Sequence, residues 1–120
     1  MATIMLAEDE AVLRMLIGDT LEDEGHELDI ACDGEEALQK IGQNEYDLII
    51  LDYMMPKLTG FEVLQQLKQM DDKKAVKVLI LSAKSQHAEQ EKMREAGADD
   101  FMPKPFSPMD LVRKVEEMLA

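Results

Sequence analysis

The stretch Asp47–Pro56, DLIILDYMMP, decides the fold that the sequence predicts. Its four consecutive apolar residues, Leu48–Leu51, are too few and too β-branched for a surface helix, and they favour a strand covered on both faces. The run stops at Asp52, and Pro56 prevents a helix from starting at once. We therefore predict a central strand with a carboxylate at its carboxyl end.

Strand and helix signals alternate on both sides of this stretch and give five strand–helix units. The predicted strands are residues 3–7, 27–32, 48–51, 76–81 and 100–103. The predicted helices end near residues 24, 42, 70, 96 and the C-terminus, and their capping residues are Gly25, Asp33 with Glu36, Thr59 with Glu62, Ser85, Gly97, and Ser107 with Pro108. Because residues 27–32 alternate between apolar and polar, they are typical of a sheet edge. The whole pattern predicts an α/β fold, a doubly wound parallel sheet with helices on both faces.

Length, composition and charge exclude several classes of protein. The chain has 120 residues and a hydrophobic content of 46%, which predicts one domain with one core. It has one cysteine, Cys32, two histidines and no apolar segment near bilayer length, so a disulfide, a structural zinc site and a membrane span are not expected. With no leader-like N-terminus, the predicted location is the cytoplasm.

Negative charge is concentrated in the first half of the chain. The formal net charge is −13, and residues 1–60 hold fifteen acids against three bases. Phosphate backbones and anionic membranes would repel such a domain, so direct nucleic-acid or membrane binding is not expected. A solvated surface explains most of these acids, but it does not explain acids placed at strand ends.

Five polar side chains stand where predicted strands end, and they are Glu8, Asp9, Asp52, Ser82 and Lys104. In a parallel sheet of this kind, ligands bind at the carboxyl ends of the strands, where the strand order reverses. We therefore expect these side chains to converge on one crevice. Three carboxylates in that crevice would repel each other unless a cation lay among them.

Mg²⁺ suits such a crevice because it prefers oxygen ligands and is commonly held by one or two carboxylates. Asp9 and Asp52 are the predicted direct ligands. Glu8 would act directly or through water, and the backbone carbonyl of Met54 would complete the protein's share. The pattern therefore predicts a magnesium site next to Asp52.

A phosphoryl group on Asp52 fits the remaining side chains. Lys104 offers a compact positive charge and Ser82 a hydroxyl donor, and both suit the oxygens of a phosphoryl group. Asp52 would then be the nucleophile, while Lys104, Ser82 and the cation neutralise charge on the transferred group. Taken singly, each side chain has a structural explanation: Asp9 as a helix cap, Ser82 as a turn residue, Lys104 as a solvated charge.

Four motifs, in order and at matching spacing over the whole chain, resemble the receiver domain of two-component response regulators. They are Glu8-Asp9-Glu10, LDYMMP around Asp52, LSA around Ser82, and GADDFMPKPFSP from Gly97 to Pro108. The resemblance implies one receiver domain over residues 1–120, with a flavodoxin-like sheet of order 2-1-3-4-5 and five helices. It also implies a phosphoacceptor rather than a turnover enzyme, either free-standing or part of a longer regulator.

The resemblance also implies a role for each matching residue. In that family a histidine kinase or a phosphotransfer protein phosphorylates the aspartate that matches Asp52, and the acids that match Glu8 and Asp9 hold Mg²⁺. The positions of Ser82, Ala83 and Lys104 bind the phosphoryl group. The phosphorylated domain then acts on a downstream effector or output domain.

Two further positions concern switching and lifetime in the family. An aromatic residue on the fifth strand turns inward together with the hydroxyl residue, and Phe101 holds its place beside Ser82, although it has no hydroxyl of its own. Dephosphorylation is tuned by the positions of Met54 and Lys84. Because Met54 offers no amide or carboxylate to position a water, we predict a long-lived phosphoryl group. As a structural alternative, Phe101 is an ordinary core aromatic.

Partner surfaces follow from exposure and from the family. Val12 and Met15 lie off the predicted core stripe of the first helix and suggest a docking patch for the phosphodonor, although they could instead pack on the last helix. The KPFSP segment is similar to that of winged-helix regulators, which dimerise on phosphorylation. The corresponding expectation is a homodimer through the fourth helix, fifth strand and fifth helix, whose surface carries charges of both signs at Lys92, Arg94, Asp99, Asp100, Arg113 and Lys114.

Two other classes share parts of the pattern. A flavodoxin-type flavin-binding protein has the same sheet, but Glu8-Asp9-Glu10 would repel the phosphate of its ligand. An aspartate-nucleophile phosphohydrolase normally has a second acid two residues after its nucleophile, where this chain has Met54. Both readings are therefore disfavoured.

Overall fold

The structure, a computed structural model, describes residues 1–73, 75–83 and 88–120. Its strands are β1 Thr3–Ala7, β2 Glu27–Ala31, β3 Leu48–Asp52, β4 Lys77–Ala83 and β5 Asp100–Lys104. Its helices are α1 Ala11–Asp23, α2 Gly34–Gln43, α3 Gly60–Leu67, α4 Gln90–Glu95 and α5 Pro108–Leu119. The predicted cap at Ser85 and the tuning position Lys84 lie outside the described residues. Within the described ranges, no helix has both the length and the apolar character needed to cross a membrane.

All five strands are parallel, and the hydrogen-bonded order is β2-β1-β3-β4-β5, as the family resemblance implied. The β3 strand lies at the centre, and each of its five residues is buried. The β2 strand lies at an edge, and four of its five residues are at least partly exposed. A run that is apolar on both sides therefore lies where both faces are covered, and the alternating run lies at the rim.

Two apolar layers cover the two faces of the sheet. Ile49 and Leu51 belong to the layer that includes side chains of α2 and α3, whereas Leu48 and Ile50 belong to the layer with α1 and α5. Successive side chains of a strand point to opposite faces, so four consecutive apolar residues serve both layers at once. This explains why the central stretch carries the strongest signal for the fold.

Five of the predicted helix caps are confirmed, at Asp33, Thr59, Ser107, Gly25 and Gly97. Asp33, Thr59 and Ser107 each accept a hydrogen bond from the backbone N–H three residues further on. Gly25 and Gly97 follow α1 and α4 with φ angles of 91° and 116°, as expected of glycine after a helix. These short-range interactions are the part of the fold that local sequence decides.

One local prediction was wrong, and the structural alternative for Asp9 does not hold. The α3 helix ends at Leu67 rather than near Met70, because the Met70 N–H bonds to the carbonyl three residues back, as in a turn. The suggestion that Asp9 caps α1 also fails, since the N-cap residue is Glu10 and it makes no side-chain cap. Asp9 is therefore not needed to start the helix.

Candidate functional site

The carboxyl edge of the sheet collects the polar side chains that the sequence singled out. Asp52 and Lys104 are the last residues of β3 and β5, Ser82 is next to last in β4, and Glu8 follows β1 directly. Parallel strands that begin at one edge must all end at the other, so the four positions share one rim. The structure therefore brings Glu8, Asp52 and Lys104 together at this rim, and it places Ser82 at the end of the neighbouring strand.

A lysine ammonium bridges two of the three carboxylates. The Nζ atom of Lys104 lies 3.1 Å from Oδ1 of Asp52 and 3.1 Å from Oε1 of Glu8. Carboxylate oxygens of Glu8, Asp9 and Asp52 all lie within 4.8 Å of one another. Glu8 and Asp52 are buried, with exposures of 0% and 5%, whereas Asp9 is exposed. The result is an acidic notch, formed by these four side chains, that is open to solvent at Asp9.

The charges in the acidic notch perturb each other. Burial, and after it the Glu8 carboxylate, raise the pKa of Asp52 to about 7 against the opposing effect of Lys104, and Asp9 adds a smaller increase. Burial alone would lower the pKa of Lys104, but the Asp52 and Glu8 carboxylates raise it overall. One ammonium therefore does not neutralise the notch. A further cation there would favour the ionised form of Asp52.

The turn that carries Glu8 is fixed by several hydrogen bonds. Its Oε2 atom accepts from the backbone N–H of Glu10 at 3.1 Å, and Oε1 accepts from Lys104 at 3.1 Å. The Arg14 guanidinium donates to the Glu8 carbonyl at 2.8 Å. Both carboxylate oxygens of Glu8 thus have N–H donors. The sequence did not predict a role for Arg14 at this turn. The one feature that could have pointed to it is that Arg14 is one of only three bases in residues 1–60.

Ser82 reaches the rim on a different face of the sheet. Asp52 pairs in register with Leu81, so Ser82 lies one residue further along the neighbouring strand. By strand alternation Ser82 continues the row of Ile80, which faces α2 and α3, while Asp52 continues the row of Ile50, which faces α1 and α5. Ser82 is buried, with 2% exposure. The structure therefore places it beside the acidic notch, across the edge of the sheet from the carboxylates.

The remaining predicted residues lie on β4, on β5 and in the loop after β3. Ala83 ends β4 as the register partner of Lys104. Met54 lies in the loop after β3 with 55% of its surface exposed. Phe101 is turned inward with 7% exposure, and the guanidinium carbon of Arg94 lies 4.9 Å from its ring centroid. Phe101 is therefore a core aromatic residue, as its structural alternative proposed, and it lies on β5, the strand that ends in Lys104.

An apolar surface borders the acidic notch. Val12 and Met15 are 77% and 66% exposed, so the alternative that they pack on α5 is wrong. Next to them a groove of about 430 Å³ runs between α1 and the connection from β5 to α5. Its lining residues are Glu10, Leu13, Leu16, Lys104, Pro105 and Phe106. Apolar side chains and the bridging lysine therefore share one continuous surface.

Comparison with known proteins gives concordant matches. The response regulator receiver domain family matches residues 4–116. The transcriptional regulatory protein ResD of Bacillus subtilis is 41% identical over 116 residues, which is 97% of this chain and 47% of ResD. The chain thus spans about half the length of the curated relatives it matches.

Solved structures agree with the fold. The chemotaxis response regulator CheY4 of Vibrio cholerae has a TM-score of 0.94 at 31% identity, with 99% of each chain covered. The receiver domain of a sensor histidine kinase from Pseudomonas aeruginosa PAO1 has a TM-score of 0.90 at 25% identity, covering 98% of this chain and 97% of that one. In that structure a magnesium ion is coordinated in the active-site cleft.

Proposed function

This chain belongs to the response regulator receiver domain family, and we propose that Asp52 takes a phosphoryl group from a histidine kinase or a phosphotransfer protein. One observation carries the proposal: Oδ1 of Asp52 lies 3.1 Å from the Lys104 ammonium, inside a cluster of three carboxylates at the sheet's carboxyl edge. A nucleophilic carboxylate beside a fixed positive charge suits acceptance of an anionic group. The domain acts as an acceptor that holds the group, rather than as a turnover enzyme.

The transfer is a displacement at phosphorus. An Asp52 carboxylate oxygen forms the new P–O bond as the P–N bond of a phosphohistidine donor breaks, and the imidazole leaves. The Lys104 ammonium offsets charge on the phosphoryl oxygens, and the Ser82 hydroxyl and the Ala83 backbone N–H donate to them. Burial of Asp52 strengthens these electrostatic interactions, because a water-poor site screens them less than bulk solvent.

Mg²⁺ fits the donor set of the acidic notch, which consists of oxygen atoms alone. The carboxylates of Asp9 and Asp52 and the carbonyl of Met54 would hold the ion. Glu8 would act through water, since both of its carboxylate oxygens already accept hydrogen bonds from N–H donors. When bound, the cation supplies positive charge that offsets the charge of the phosphoryl group.

Phosphorylation of Asp52 would change the positions of side chains on the neighbouring strands β4 and β5. Ser82 moves toward the phosphoryl oxygens, and Phe101, already inward, stays buried and stabilises that arrangement. Because Phe101 has no hydroxyl, its outward state has less to anchor it. Met54 leaves the attacking water unpositioned, which lengthens the lifetime of the phosphoryl group.

The phosphodonor binds the apolar surface of Val12, Met15 and the adjacent groove, because this surface leads directly to Lys104. The site of action is the cytoplasm, where such donors transfer their phosphoryl groups, and the output is a downstream effector or output domain.

A homodimer would use the surface of α4, β5 and α5. Within one chain Lys114 pairs with Asp100 at 2.9 Å and Arg113 pairs with Asp110 at 2.7 Å. These pairs are partly or fully exposed, so exchanging them for pairs across a twofold axis would change the free energy little. Analytical ultracentrifugation with and without a phosphoryl analogue measures whether such a dimer forms.

Incubation with acetyl phosphate and Mg²⁺, followed by intact mass measurement, tests the assignment of Asp52. We expect the native chain to gain the mass of one phosphoryl group and Asp52→Asn to gain none. Asp19→Asn, which removes an exposed acid of α1, is the matched control and should label like the native chain. Equal labelling of Asp52→Asn would refute the assignment.

A further inference from the structure

Gly34 lies against the loop that follows Asp52, although the proposed chemistry makes no use of it. A Cβ atom at Gly34 would lie 2.1 Å from the carbonyl oxygen of Leu58 and 2.6 Å from the Leu58 Cβ. Contacts of a real Cβ atom below 3.0 Å essentially do not occur. The close approach of α2 to this loop therefore depends on the missing side chain.

The loop of residues 53–59 packs on the start of α2 through several contacts. The Gly34 N–H points to the Pro56 carbonyl at 3.4 Å, a long hydrogen bond. Lys57 Nζ lies 3.6 Å from Oδ2 of Asp33 and 4.0 Å from Oε1 of Glu35. The Met55 side chain is buried in the core layer below. The first turn of α2 thus forms a platform for the loop.

The conformation of this loop is not one that the chain adopts freely. Lys57 has a φ of 72°, in the left-handed region, which is unfavourable for a residue that carries a side chain. At its far end the loop is held by the Gly60 N–H, which donates to the Tyr53 carbonyl at 2.8 Å. Such a conformation persists only where surrounding contacts determine it. The platform at Gly34 supplies those contacts in the middle of the loop.

We propose that Gly34 is a positioning residue for the phosphoryl-acceptor site. By letting the loop pack on α2, Gly34 fixes the backbone that leaves Asp52 and the carbonyl of Met54, and so sets the affinity of the acidic notch for Mg²⁺. This inference rests on the proposed function, in which the Met54 carbonyl is a ligand. The effect does not need a direct contact between residues 34 and 54, because it passes through Leu58 and the loop.

Geometry gives the size of the expected effect. To bring the contact at Gly34 from 2.1 Å to an ordinary 3.4 Å, the loop or the helix must move by about 1.3 Å. Mg²⁺ requires nearly ideal octahedral coordination at about 2.0–2.1 Å, so it tolerates a ligand displaced that far poorly. We expect Gly34→Ala to weaken Mg²⁺ binding by about tenfold or more.

Two substitutions on the same helix serve as matched controls. Gly42→Ala makes the same chemical change at a position where an added Cβ has no atom within 4 Å. Ile41→Val removes one methylene group from a fully buried side chain, so it lowers stability and adds no atom next to the loop. If weaker Mg²⁺ binding came only from replacing a glycine of α2, Gly42→Ala would show it as well. If it came only from lower stability, Ile41→Val would show it.

Isothermal titration calorimetry with Mg²⁺ on the metal-free chain is the main measurement, and unfolding in EDTA verifies that each variant is folded. The inference predicts weaker Mg²⁺ binding and slower labelling by acetyl phosphate for Gly34→Ala alone. Native affinity in a folded Gly34→Ala chain would overturn it. If the native chain itself bound no Mg²⁺ and took no label, the proposed function would fail instead.

Hydrogen exchange in the native chain tests the same coupling without a substitution. Because linkage is reciprocal, Mg²⁺ binding must stabilise the platform if the platform favours Mg²⁺. The Gly34 amide should then exchange more slowly with Mg²⁺ than without it. The Asn44 amide, which donates to Lys40 at the other end of α2, should change less. An equal response of the two amides would contradict the inference.

Discussion

Replacing Asp9 by asparagine should stabilise the metal-free chain and weaken its binding of Mg²⁺. Oxygens of Asp9, Glu8 and Asp52 lie within 4.8 Å of one another, and at that separation each pair of charges repels by about 0.9 kcal/mol even at the permittivity of water. Asp9 takes part in two such pairs, which together amount to about 1.7 kcal/mol. The substitution removes both repulsions and keeps the size of the side chain.

Two smaller effects reduce that gain. Asp9 lies just before α1, where a negative charge is favoured by about 0.5 kcal/mol, and the Lys104 ammonium attracts it. The repulsion exceeds these effects because Asp9 faces two acids and one base. We therefore expect a net stabilisation of about 1 kcal/mol in EDTA, or about 4 °C in Tm for a domain of this size.

Magnesium should reverse the order of stability. At a concentration of about 100 times its Kd, a ligand stabilises the folded state by about 2.7 kcal/mol, and a tenfold weaker Kd removes about 1.3 kcal/mol of that amount. In Mg²⁺ the native chain would then be at least as stable toward unfolding as the Asp9→Asn chain. The assay is urea unfolding at pH 8, in EDTA and at increasing Mg²⁺.

Asp19→Asn is the control, since it removes an exposed acid that lies on α1, ten residues further along the chain. Its response to Mg²⁺ should match that of the native chain. Two results would refute the reasoning: an Asp9→Asn chain that is less stable than native in EDTA, or one that gains as much stability from Mg²⁺ as the native chain.

Three further predictions concern other contacts. The Tyr46 hydroxyl lowers the pKa of Asp29, whose side chain is 35% exposed, so Tyr46→Phe should cost about 1 kcal/mol at pH 7. The stabilisation that goes with a lowered pKa is complete above the unfolded value of 3.8 and is lost as pH falls below it, so in urea unfolding the effect of Tyr46→Phe should shrink as pH falls below 3.8. The Lys77 ammonium donates to the Met118 carbonyl at the end of α5, so Lys77→Met should lower the unfolding free energy by about 0.5–1 kcal/mol in thermal melts, and an unchanged Tm would disprove the contact. Met54→Asn adds an amide that can position water, so the phosphoryl half-life should shorten by about tenfold, or 1.4 kcal/mol of barrier. A half-life of seconds in the native chain would contradict the expected long lifetime.

Local patterns were enough for much of the fold and for the strand ends that form the acidic notch. Helix caps at Asp33, Thr59 and Ser107 involve partners three residues away, so they can be read from a short window of sequence. Strand ends are equally local, because an apolar run stops where the backbone leaves the sheet. Once the strands are parallel, Asp52 and Lys104 must share an edge.

Position along a strand did not reveal how the site residues divide between the faces of the sheet. Ser82 and Asp52 each stand at a strand end, but the register and the alternation of side chains put them on opposite faces. The partner of Lys77 could not be predicted either, because the sequence shows only one charged residue within an apolar run. Its partner, the end of α5, is 41 residues away and is brought near only by packing.

The sequence by itself determined the order of strands and helices along the chain, the central strand and the acids at its carboxyl end. These features follow from the periods of helices and strands and from contacts within a few residues. Tertiary structure alone decided that Lys104 donates to Glu8 and that Gly34 meets Leu58. Residues 34 and 58 are 24 positions apart and belong to different units, so no periodic pattern relates them. Their contact exists because α2 and the loop after β3 pack against each other on one face of the sheet.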